Sequence, residues 1–402
     1  MSLSQLLRES EIDSYLTGNP QVTYFKSVYR RHTPFYKGLQ TYQEHNINDN
    51  RSVKEPLSYG TYDLITNIFL ENKITGMTGT NKIYANIGNN IINEIKFDVG
   101  GNTIFQTYGL YMEARSELDN PYVPSVVNSH SVPSVLALNG SNIMCNTGSQ
   151  YNVQTMAGGV SGSNSNASST DTFYTYPDFY FCRDYGNSFP ICALNNSEVE
   201  LNISYREISE IMSSTATLTS TVQVEYINLS EDEKMRFINN TEMYIFYDII
   251  DHTSTNSDTE INFPLRQIFF VGNNNSITNA SETVSLSTPA SLKNSMTDTN
   301  IKINNKNLYE TTETLSIFTK QNLNSMYPGY GRELIVSPTE SVGYLDSIGV
   351  YSFCLDTTNT PSGHLSANIP INITGINNTA NIYLEVIKYY RIKGGQLGLM
   401  YT

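Results

Sequence analysis

The sequence predicts an all-β chain of two consecutive sandwiches with long polar loops and a few short helices. Three observations carry this. Apolar and polar residues alternate with a period of two in many short segments. Long Leu/Ala/Glu/Lys stretches of helical period are nearly missing. The alternating pattern lapses over the Ser- and Thr-rich run Ser209–Ser220, then restarts. Composition agrees: hydrophobic residues are 39% and charged residues 15%, with 29 Tyr and no Trp. Aromatic and β-branched residues suit a half-buried pleated surface. A length of 402 residues allows two or three domains.

Taken in order, Ser2–Ser10 places Leu3, Leu6 and Leu7 on one face of a short amphipathic turn. In Tyr62–Leu70, Leu64, Ile68 and Leu70 are expected to share a face. In Glu94–Val99, Ile95, Phe97 and Val99 alternate with Glu94, Lys96 and Asp98, and Gly100-Gly101-Asn102 turns the chain into a hairpin. Asn120–Asp171 is rich in Ser, Asn, Gly and Pro, and is too long for an ordinary connection, so a surface excursion is expected. Glu198–Arg206 has the cleanest alternation, with Val199, Leu201, Ile203 and Tyr205 on one side. One wet and one buried face is the mark of an antiparallel sandwich. Ser209–Ser220 reads as the link between halves, and Val222, Val224 and Tyr226 as the restart. Ser230-Glu231-Asp232-Glu233 reads as a capping box opening a helix through about Ile238. Strand signals follow at Met243–Ile250, Asn262–Val271, Ile348–Leu355, Asn368–Ile373 and Asn381–Arg391, with a second polar excursion at Asn273–Thr299. Each half then holds about eight strands.

Charge and motifs exclude several functions. The net charge is −14, from 24 Lys+Arg against 38 Asp+Glu. A protein that wraps nucleic acid needs the opposite sign to displace counterions, so no direct nucleic-acid contact is expected. Met1–Ser10 has no long apolar stretch, so no signal peptide is expected, and no window reaches the roughly 20 apolar residues of a membrane span. Cys145, Cys182, Cys192 and Cys354 show no C-x-x-C spacing and read as free thiols, with a Cys182–Cys192 bridge as the minority alternative. His32, His45, His130, His252 and His364 are scattered and make no zinc pattern. Tyr327-Pro328-Gly329-Tyr330-Gly331 is a turn rather than a phosphate loop. Glycosylation sequons, from Asn139 to Asn377, arise readily by chance in so Asn-rich a chain. The patch Arg30, Arg31, His32 has two readings: binding phosphate or lipid head groups, or, as preferred, satisfying carbonyls and carboxylates inside the protein or at a subunit contact.

Several segments together resemble one family. These are the run Gly18–Thr33 and the stretches Tyr62–Asn67 and Ile91–Gly101. Phe179–Arg183 through Phe189–Leu194, with Glu198 and Val199, follows, then Val224–Leu229 with Glu233 and Arg236. The sharpest is Tyr351-Ser352-Phe353-Cys354-Leu355 followed by Pro361-Ser362-Gly363; Tyr390-Arg391-Ile392 and Gly394-Gly395 through Gly398-Leu399 end the series. In this order they resemble the major capsid proteins of nucleocytoplasmic large DNA viruses. The chain departs in having Tyr180 where that family usually has Trp, and in its short second-half loops.

The resemblance implies a double jelly roll: an N-terminal arm at 1–24, a first jelly roll at 25–211 and a second at 212–402. It implies a structural, non-enzymatic subunit with no catalytic, cofactor or metal residues, trimerising into pseudo-hexagonal capsomers that tile an icosahedral shell. Implied partners are further copies of the chain in the homotrimer and in neighbouring trimers, minor capsid proteins, the inner viral membrane through the arm, and surface glycans. The implied location is the virion shell, assembled in the host cytoplasm. The alternatives are a minor or paralogous capsid protein of the same virus and, less favoured, a jelly-roll carbohydrate-binding protein.

Overall fold

The computed structural model describes residues 18–27, 30–48, 51–57, 62–75, 87–119, 170–207, 217–252, 259–272, 300–309, 317–327, 334–337, 340–342, 348–357, 362–374 and 380–400. The expected turn at Ser2–Ser10 and nearly all of the two polar excursions lie outside them. Residues up to Pro34 form one unit, and Phe35–Thr402 another. The second unit carries both sandwiches.

The first sandwich uses β1 (Phe35–Asn46), β2 (Ser52–Pro56), β3 (Leu64–Thr75), β4 (Ile92–Val99), β5 (Asn102–Tyr108), β6 (Thr170–Thr175), β7 (Val199–Tyr205) and β8 (Thr217–Leu229). They form two antiparallel sheets in the orders β1-β8-β3-β6 and β2-β7-β4-β5. The first and last strands are neighbours, and the chain passes between the two sheets as it goes. That winding is a jelly roll.

The second sandwich uses β9 (Glu242–Asp251), β10 (Thr259–Ile261), β11 (Leu265–Gly272), β12 (Asn300–Ile303), β13 (Lys306–Asn307), β14 (Leu334–Ser337), β15 (Glu340–Val342), β16 (Ile348–Ser352), β17 (Ile369–Thr374), β18 (Ala380–Lys393) and β19 (Gln396–Met400). One sheet runs β16-β11-β18, with β9 on the other side of β18; the facing sheet runs β10-β17-β12-β13. Setting aside the β14–β15 hairpin and β19, the winding repeats that of the first sandwich. The fold is a double jelly roll.

Strand pairing corrects the expected boundary. The strand holding Val222, Val224 and Tyr226 does not open the second sandwich. It is β8, hydrogen-bonded between β1 and β3 from Thr217 to Leu229, so it closes the first. The expected division at 211/212 falls before this strand. Polar composition marked the crossing between two strands of one sandwich, because a jelly roll's last strand returns to its first across just such a loop. The helix at Ser230 is present, as α2 (Glu231–Asn239) after α1 (Gly109–Asp119), but Ser230 makes no side-chain cap bond. Its role at the helix start is carried by its carbonyl, which accepts from the Lys234 N–H at 2.9 Å.

A bulge corrects one face. The register of β3 on β8 slips at Thr66, between Ile65 and Asn67. An extra residue reverses the alternation. Ile65, Ile68, Leu70 and Ile74 therefore share the core face, and Leu64 does not join that cluster. The hairpin at Gly100-Gly101 forms as expected, with φ of 58° and 81°, a region glycine enters without steric cost.

Burial explains the longest apolar run. Every residue of β11 is buried. Ile268 and Phe270 point into the second sandwich beside Ile382, Leu384 and Phe318. Phe269 and Val271 point the other way, onto Leu110, Tyr111 and Ala114 of α1. A strand covered on both faces has no polar positions to alternate with. The third cluster fills the first sandwich and continues into Phe246 of β9 and Tyr390 and Ile392 of β18.

Candidate functional site

The two sandwiches are locked to one another by apolar, ionic and backbone contacts. Phe105 of β5 meets Phe246 edge-on at 4.7 Å and Tyr390 at 6.1 Å; Phe189 meets Tyr390 at 5.9 Å. On the far side of Phe105 stand Phe97, Phe181 and Phe179. Burying rings at tilted contacts adds to the area term. Beside them the Gln106 N–H donates to Asp248 Oδ1 at 2.8 Å, and Lys388 Nζ sits 2.5 Å from the other oxygen. Burial pushes the Asp248 carboxyl up, and Lys388 works against that shift.

A second cluster is built of arginines. Arg266, 1% exposed, pairs with Glu385, 0% exposed, at 3.0 Å, and donates to the Thr357 carbonyl at 2.5 Å. Arg183 of the first sandwich lies 3.6 Å from the same Glu385 and forks onto Asp178 at 2.8 and 2.7 Å. Arg115 of α1 donates to the Tyr327 hydroxyl at 2.7 Å, which donates to Gln267 Oε1 at 2.7 Å. Charges this deep persist only when paired, and two of these contacts, Arg183 to Glu385 and Arg115 to Tyr327, cross from the first sandwich to the second. A clasp completes the junction. The turn Gly394-Gly395 accepts from the Asn196 N–H at 3.0 Å and from its side-chain amide at 3.2 Å.

The outward surfaces are unlike the junction. β1 is an edge strand without one buried residue, and Phe35, Tyr36 and Leu39 are 57%, 68% and 58% exposed. Next to them Lys37 bonds the exposed Tyr185 hydroxyl at 2.6 Å and Glu225 at 3.0 Å. β9, the other first strand, is also an edge, and Met243 and Ile245 on it are exposed, as is Met235 of α2. Open edges offer unpaired backbone groups and invite a neighbour. Between residues 18 and 34, Val22, Tyr24 and Phe25 are exposed, as are Arg30, Arg31 and His32.

Sequence reading named no catalytic or ligand residues. Among the described residues no group of three or more His, Cys, Asp or Glu is placed to hold a metal. Cys182, Cys192 and Cys354 are free and buried, so the Cys182–Cys192 bridge is not formed; Cys145 lies outside the described residues. Tyr327, read as part of a turn, proves to be a buried partner of Arg115. The buried arginines escaped sequence reading, because an isolated Arg in a strand ordinarily marks a wet face.

Two jelly rolls fused by a buried junction, with open edge strands on the outside, define a double jelly-roll protein. Residues 23–248 match the model of the family described as major capsid protein N-terminus, and the chain belongs to that family. A major capsid protein of Pyramimonas orientalis virus is 28% identical over 276 residues, 67% of this chain and 64% of that protein. One of Phaeocystis pouchetii virus is 24% identical over 315 residues, 67% of this chain and 58% of the relative. The matches thus span less than two thirds of these relatives. A solved structure, the quasi-atomic PBCV-1 virus capsid, shares the fold, with a TM-score of 0.69 at 20% identity over 94% of this chain and 100% of that one.

Proposed function

We propose that this chain is a structural subunit of a viral shell, a homotrimer whose capsomers tile an icosahedral capsid. One observation carries the reading: the same jelly-roll winding occurs twice in one chain, and a buried junction sets the two copies in a single arrangement. Three such chains around an axis present six similar sandwiches, a nearly hexagonal block that packs closely. Rotation by thirds closes the ring, so contacts between blocks are left free to adjust. The exposed edge strands β1 and β9 are the surfaces that copies would share.

In this reading the chain works without catalysis, and its place is the virion shell, built in the host cytoplasm. Minor capsid proteins and the inner membrane meet the N-terminal arm, glycans lie on the outer face, and the charge of −14 keeps the shell from binding the genome directly. Analytical ultracentrifugation of the purified chain tests the trimer. The expected species has three times the chain mass of 45.1 kDa, and electron micrographs of it show a hexagonal outline. A protein that stays at one chain mass at micromolar concentration would overturn the proposal.

A further inference from the structure

Residues 18–27 and 30–34, ahead of β1, form no strand or helix, and every one of them is exposed. Two features set this stretch apart from an ordinary loop. Tyr24 and Phe25 are 95% and 99% exposed, with Val22 beside them, and adjacent bare rings rimmed by cations are the pattern of a contact surface. Residues 18–34 also hold Lys26, Arg30 and Arg31 and no acidic residue. Among the described residues none of these three cations forms an ion pair. Neither the junction nor the edge strands use them.

The charge of the remaining chain selects the partner. The stretch is +3 and the chain totals −14, so the other residues carry −17. Bodies of that charge repel one another when packed side by side. A cationic stretch laid from one body onto the next supplies the counterion from the protein itself. An anionic bilayer offers no such relief, because it repels the same −17. Salt confines the attraction to about 8–10 Å, so the cations must lie against carboxylates.

The start of α2 carries the complementary groups. None of the residues of α2 is buried. Glu231 and Asp232 are exposed and form no ion pair among the described residues, while Lys234 beside them is held by Asp63 at 2.9 Å. Met235, 40% exposed, follows Glu231 by one turn and so shares its face. Arginine forks match carboxylates, and an aromatic ring packs well on a thioether. Fully extended, residues 22–34 would span up to about 40 Å, enough to reach a neighbouring chain.

We infer that residues 22–31 of one chain bind the start of α2 on a second copy, with Arg30 and Arg31 on Glu231 and Asp232 and the Phe25 ring against Met235. The contact presupposes the shell reading and adds to it a specific strap between copies.

The test places a benzophenone photo-cross-linker at Phe25 in the full chain. On a denaturing gel the adduct is expected at twice the chain mass of 45.1 kDa, and mass spectrometry should find it joined to the peptide holding Met235. Arg30→Glu with Arg31→Glu should remove this adduct and weaken self-association at low salt by about tenfold. Glu231→Lys with Asp232→Lys should do the same, and all four changes together should restore the adduct. Both double variants should melt with the parent, since every altered residue is exposed. Adducts confined to single chains, adducts to other peptides, or a fourfold variant that stays uncoupled would each overturn the inference. So would flotation of the chain with phosphatidylserine vesicles that depends on Arg30 and Arg31, which would make a bilayer the partner. Trimers that form without this adduct would defeat the strap alone, leaving the capsid reading standing; a chain that never associates would defeat both.

Discussion

Truncating Phe246 to alanine tests whether the junction is a shared core or a contact between two independent sandwiches. Phe246 is 1% exposed, stands on β9 of the second sandwich and meets Phe105 of the first at 4.7 Å and Tyr390 at 5.4 Å. Removing a buried phenylalanine costs about 3–5 kcal/mol in lost transfer energy and cavity. Of that, the Phe105 pair is expected to account for about 0.5–1.5 kcal/mol. The assay is urea unfolding at one fixed protein concentration, since assembly would otherwise shift the midpoint. Phe246→Ala, Phe105→Ala and the double variant make a cycle that isolates the pair. If Phe246→Ala costs no more than Leu355→Ala, an 88%-exposed position away from both edge strands, or the cycle shows no coupling, the sandwiches do not share a core.

Three other perturbations probe the remaining devices. Arg266→Met should cost about 3–5 kcal/mol in thermal or urea unfolding because Glu385 is left buried without its nearest partner, while Arg266→Met with Glu385→Met should recover much of that loss; a single variant as stable as the parent would refute the pairing. Gly395→Ala should lower the melting temperature, since Gly395 has φ of 78° and a Cβ there would lie 1.6 Å from Asn195 Oδ1; Asn195→Gly in the same chain should restore part of it, leaving the backbone strain of about 1 kcal/mol. Burial pushes the Cys192 thiol up to about 12 and raises Cys182 as well, so at pH 8 both stay protonated and should resist iodoacetamide until urea unfolds the chain; rapid labelling of the native protein, read by mass spectrometry, would contradict their burial.

Strands with one wet face were legible in the sequence. Val199, Leu201, Ile203 and Tyr205 alternate in β7 as they do in the text, and the hairpin at Gly100-Gly101 sits where two adjacent glycines permit it. Strands that do not divide inside from outside were harder. The alternation signal passes over β1, because Phe35–Asn46 lies at an edge with nothing buried on either face. α1 carries a readable stripe, Leu110, Ala114 and Leu118 at helical spacing, but what the stripe covers, β11, is remote in sequence.

By itself the sequence determined local states and kinship: that the alternating segments are strands, that Gly100-Gly101 turns the chain, that the net charge is −14, and through scattered motifs the family. Those properties depend on neighbours along the chain, or on a pattern preserved along it. Tertiary structure alone decided which sandwich owns β8, that Thr66 bulges and turns Leu64 away, and that Arg266 is buried against Glu385. Each joins residues remote in sequence, so its energy exists only once both partners are folded, and no window of the chain contains it.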